Sequence, residues 1–218
     1  MASVPPPLAS TKEKTNYALL CRLLVSVGSQ ALKDSFDQIH PPTDLPGNLA
    51  HPPARPILQS LRKKRILNPT QWSKLYPIIS SSVSSTSFDI TLLLTLLRNI
   101  CNLRPPPTGW DNLPSADDTT LEANIARLRF YRNKVYSHAS QASVDDKTFE
   151  RYWQDIRNVL VGLGAGASYL NAINRLKTER MDSDIEEHFQ ELLKAWKNDD
   201  DEIGDRLDEM EGMFILNL

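Results

Sequence analysis

The chain has 218 residues, 40% hydrophobic and 24% charged, with a formal net charge of −2, so it can bury a sizeable core and is neither fibrous nor disordered throughout. Its two cysteines, Cys21 and Cys101, each lie in an apolar stretch; this argues against a disulfide framework or a zinc finger, and a cytoplasmic protein with no metal and no cofactor is expected. Charge is unevenly spread: residues 1–110 hold 12 Lys/Arg against 5 Asp/Glu, and Met181–Glu211 holds 3 against 13, which leaves a basic body suited to a polyanion.

In chain order, residues 1–11 read as a flexible, proline-containing N-terminus without a signal-peptide apolar core. Lys12–Ile39 carries apolar residues at helical spacing (Tyr17, Leu20, Leu24, Val27, Ala31, Phe36) and predicts one long amphipathic helix. Proline-dense residues His40–Pro56 predict an extended loop. Ile57–Ile66 is expected to be a short helix bearing Arg62-Lys63-Lys64-Arg65, and Asn68-Pro69 to begin another, with Asn68 as its N-cap.

The serine-rich stretch Ser80–Ser87 reads as a connector, followed by the most buried helix over Phe88–Leu103. Its apolar run Ile90–Leu97 is too short to span a bilayer, so no membrane association is expected. Capping-box spacing at Thr119/Glu122 and Ser143/Asp146 predicts two neighbouring helices, the first running to about Tyr136. A helix over Tyr169–Lys177 and a last one capped by Ser183 complete the array. The chain divides into a helical domain over 12–180 and an acidic C-terminal helix and tail over 181–218; no segment alternates as a half-buried strand would.

The chemistry-bearing segment is Ala126–His138, basic and aromatic at a predicted helix end. A metal-free ribonuclease needs a group that moves protons near neutral pH and a fixed cation for the charged transition state; His138 and Arg132 are of those types. Six residues along a helix separate them by about 9 Å and roughly 240°. They converge only if the helix ends before His138 or if two subunits share the site. Arg62, Lys63, Lys64 and Arg65 form a compact positive spot for an RNA backbone, or else a solvated face or a pairing surface for the acidic C-terminal half. Arg129 and Lys134 are further candidates for contacting an RNA backbone. His40 and His51 lack further ligands for a metal.

Arg132-Asn133-Lys134-Val135-Tyr136-Ser137-His138 resembles the HEPN signature. Phe88–Leu93, Leu97–Cys101, Thr108-Gly109-Trp110 and Ser143–Asp146 are similar to the HEPN domain of the DAZ-interacting zinc-finger ubiquitin ligase family. That resemblance implies an all-α, HEPN-like helical bundle with additional flanking helices and proline-rich loops, which dimerises along the motif helix. In active members it implies metal-independent RNA cleavage, with His138 as acid/base, Arg132 as phosphate stabiliser and Asn133 as an orienting group. Two functions are therefore expected as alternatives: an endoribonuclease homodimer, or a non-catalytic module that binds RNA or signalling and ubiquitin-pathway proteins.

Overall fold

The computed structural model describes residues 11–164, 166–179 and 181–198, and among them there are helices and turns but no strand. The chain opens with α1 (Lys12–Arg22), a π-helical segment (Leu23–Gly28) and α2 (Ser29–Ile39), which run on without a break. Then come α3 (Leu45–Ala50), α4 (Ala54–Lys63), α5 (Pro69–Leu75) and α6 (Ile90–Ile100). The second half holds α7 (Leu121–Tyr136), α8 (Asp146–Gly162), α9 (Gly166–Thr178) and α10 over residues 183–198.

The first helical run is the hub. Its α1 half packs against α7 and α8, its π segment against α7, α8 and α9, and its α2 half against α6. Tyr17, Leu20, Leu24, Leu32 and Phe36 from this run meet Leu92, Leu96, Ile125, Leu128, Ile156 and Leu160 in one buried core. The all-α bundle expected from the sequence is what the chain forms.

Several boundaries differ from the sequence reading, each for a local reason. The stretch 40–56 is not simply extended: it contains α3 and the start of α4. Pro46 stands in the first turn of α3 and Pro56 in that of α4, where a missing N–H removes no helical bond. The N-cap of α7 is Thr120, not Thr119: Asp118 accepts both the N–H and the hydroxyl of Thr120, whose own oxygen accepts from Ala123 N at 3.2 Å. The N-cap of α8 is Asp145, not Ser143, because Val144 is tied to α1 on both sides, donating to Glu13 O at 3.0 Å and accepting from Asn16 Nδ2 at 3.1 Å. Asp182, not Ser183, caps α10 by accepting from Ile185 N at 2.9 Å. The buried α6 is shorter than Phe88–Leu103: Asp89 caps it through Leu92 N at 2.8 Å, and Asn102 turns left-handed (φ 55°) before the Arg104-Pro105 step.

Asn68 does cap α5, in a reciprocal capping box with Gln71. Asp89 joins that cap to α6: besides holding Leu92, it accepts from Gln71 Nε2 at 3.2 Å and Lys74 Nζ at 3.0 Å.

Candidate functional site

Helix α7 carries the motif, and its core stripe is Ile125, Leu128, Arg132 and Val135, none more than 1% exposed. Arg132 thus occupies a position whose helical neighbours are aliphatic. Its Nε donates to Asn133 Oδ1 at 3.0 Å, and the guanidinium lies 5.0 Å from the centre of the Trp196 ring on α10. A charge-assisted hydrogen bond and an indole face offset part of the cost of burying the cation. One turn further on, Lys197 Nζ sits 5.7 Å from the Tyr136 ring, so α10 covers this flank of the motif.

His138 lies beyond the helix, which ends at Tyr136 with Ser137 as C-cap. Its N–H donates to Val135 O at 3.0 Å, and its carbonyl accepts from Gln141 and Ala142. The half-buried ring faces Tyr152 of α8 edge-on at 6.2 Å, and Tyr152 in turn meets Tyr131 of α7 at 6.3 Å. The helix therefore ends where the first route to convergence requires. Even so, Arg132 turns to α10 while His138 turns to α8, and the two find different neighbours.

Asn133 and Lys134 are exposed, and Lys134 Nζ lies 5.3 Å from the Phe130 ring. Arg129 is half-buried and ion-paired to Asp111. Arg62, Lys63, Lys64 and Arg65 are all exposed around the end of α4, with Arg62 stacked 4.4 Å over Trp72. This cluster stands apart from the motif, since α4 packs on α3 and α6 while α7 packs on α1 and α8. Among the described residues, no group of three or more His, Cys, Asp or Glu is placed to hold a metal ion, and no helix is long and apolar enough to cross a membrane.

Sequence reasoning missed three features. One is the burial of Arg132; its spacing of four after Leu128 and three before Val135 was the available signal. The second is Trp196 as its cover. The third is a cavity of about 330 Å³ between the loop before α7, α7 itself and α8, whose polar lining includes Asn124, Arg127, Tyr131, Asp155 and Asn158. Arg127 reaches Asn124 Oδ1 at 3.1 Å and the Ser115 carbonyl there. Burial, followed by the Asp155 carboxylate, pushes the Tyr131 hydroxyl up to about 12.

The family model described as DZIP3/hRUL138-like HEPN matches residues 42–189. The E3 ubiquitin-protein ligase DZIP3 of mouse is 28% identical over 180 residues, covering 77% of this chain and 14% of the mouse protein. Its human counterpart is 28% identical over 152 residues, covering 68% of this chain and 12% of the human protein. The chain thus corresponds to a small part of these relatives. No solved structure matches the chain at a significant level.

Proposed function

This chain belongs to the DZIP3/hRUL138-like HEPN family, and from that premise we propose that it is an RNA-binding module of ubiquitin-pathway machinery whose motif serves the fold instead of cutting RNA. The observation that carries this reading is Arg132, 0% exposed behind Trp196. A cation that stabilises a phosphorane must come within hydrogen-bond distance of its oxygens. A guanidinium with no exposed surface, lying 5.0 Å from an indole ring, does not meet that requirement. RNA binding draws support from the exposed Arg62, Lys63, Lys64 and Arg65 and from the exposed Lys134 within the motif, which can neutralise phosphates without entering the core. The ubiquitin-pathway setting draws on the relatives, both of them ubiquitin ligases.

A second reading, the metal-independent endoribonuclease homodimer, is favoured by one observation: His138 is only half-buried just past the helix end. It requires α10 to lift from Arg132, or a second subunit to bring a cation to His138. Labelled single-stranded and structured RNA, incubated with the protein in excess chelator, separates the two. Under the binding reading RNA is retained and intact, and alanines at 62–65 weaken retention and flatten its salt dependence. RNA cut to 2′,3′-cyclic phosphate ends, with cutting lost in His138→Ala, would replace it with the nuclease reading, and sedimentation of the same sample gives the subunit number.

A further inference from the structure

The cavity against α7 and α8 lies on the face to which His138 turns. The aromatic row His138, Tyr152, Tyr131 leads from the end of the motif to its wall, with ring centres 6.2 and 6.3 Å apart. Its volume, about 330 Å³, is in the range of pockets that take small organic groups. Val159 and Gly162 supply part of the lining.

The polar groups have distinct roles. Asp155 is an acceptor whose carboxylate interacts with the Tyr131 hydroxyl, and its two oxygens offer more acceptor sites than one phenol occupies. Asn158 Oδ1 accepts from Gln154 Nε2 at 2.8 Å, which leaves the Asn158 amide nitrogen as a donor. The Arg127 bonds to Asn124 and Ser115 use two of its five N–H groups. One cavity therefore presents a carboxylate, a guanidinium and an amide donor next to a tyrosine ring.

We propose that this cavity is a base-binding pocket that selects guanine in single-stranded RNA, an inference that rests on the RNA-binding reading above. Guanine presents two adjacent donors, N1–H and the N2 amine, and two acceptors, O6 and N7. The first pair matches the Asp155 carboxylate and the second matches Arg127 and Asn158. Adenine and cytosine set a ring acceptor beside their amine, and uracil flanks its one N–H with two carbonyls, so each turns a lone pair toward the carboxylate. Tyr131 gives the base a ring to stack on.

The test is titration of the full chain with GMP, AMP, CMP and UMP separately in excess chelator, followed by calorimetry and by the amide NMR signal of Gly162. GMP is expected to bind about tenfold or more tightly than the others and to shift Gly162. Asp155→Asn is expected to remove that preference, and Asn158→Ala, at an exposed position, to weaken GMP severalfold, with each fold checked by circular dichroism. Four equal affinities, no binding, or a GMP preference unchanged in both variants would overturn the pocket. RNA retention without GMP preference would overturn it and leave the RNA-binding reading intact; GMP preference without RNA retention would keep the pocket and remove that reading.

Discussion

Gly162, the last residue of α8, gives a sharp test of how α7 and α8 are held together. A β-carbon built there would lie 2.6 Å from Asn124 Nδ2, 2.9 Å from its Cγ and 3.1 Å from its Oδ1. Asn124 is 5% exposed, and its amide is engaged by Arg127 Nη1 at 3.1 Å and, more weakly, by Thr119 O at 3.5 Å. Gly162→Ala must therefore swing the amide away, losing about 1 kcal/mol per hydrogen bond, or push the helices apart at an overpacking cost of about 1–3 kcal/mol. Alanine's better helix propensity returns at most about 1 kcal/mol, and less at a helix end. The expected net loss is about 0.5–2 kcal/mol, measured as a lower urea midpoint at unchanged slope. In an Asn124→Ala background the obstruction is gone, and the same substitution should be neutral or mildly stabilising. A single variant as stable as the parent, or an equal loss in both backgrounds, would refute the reasoning.

Other substitutions probe the remaining junctions. Trp196→Ala should lower stability by about 3–5 kcal/mol, toward the low end because the indole N–H finds no hydrogen-bond acceptor among the described residues; phenylglyoxal should then modify Arg132, which the parent protects. Burial holds His40 below its ordinary 6.5, so the unfolded chain binds the proton more readily: stability is held above pH 6.5 and declines as pH falls below it. His40→Gln should flatten that decline in urea titrations run at several pH values. Asp89→Asn keeps an acceptor for Leu92 N and should cost under about 1 kcal/mol, whereas Asp89→Ala loses the cap as well as the Gln71 and Lys74 contacts and should cost about 1–3 kcal/mol; equal losses would refute the separation of cap from charge.

What the sequence made legible was whatever depends on local pattern. Apolar periodicity located the helices outside the proline-dense stretch 40–56, Asn68-Pro69 marked a start, and the ordered motifs pointed to the HEPN family. Caps were harder because the choice between adjacent candidates was made elsewhere: Val144 is claimed by Glu13 and Asn16 of α1, which leaves Asp145 to begin α8. Arg132 was the deepest miss. Its sequence setting suggests a cation facing phosphate, whereas the side chain is buried, with Trp196, 64 positions later in the chain, 5.0 Å from its guanidinium. The cavity escaped for the same reason, since Arg127 and Asp155 share it only once α7 and α8 have packed.

The π-helical segment Leu23–Gly28 has a bearing on how this chain tolerates length changes. A π turn takes up more residues than an α turn, so it absorbs roughly one residue of phase, about 100° of rotation, without interrupting the helix. That offset lets Lys12–Arg22 direct its apolar side chains toward α7 and α8 while Ser29–Ile39 directs Leu32 and Phe36 toward α6. Deleting one residue within 23–28 would tidy the winding and yet rotate one half of the hub out of alignment with its partners. The irregular stretch is thus a clutch between two halves of the bundle, and a regular helix in its place would be the more damaging geometry.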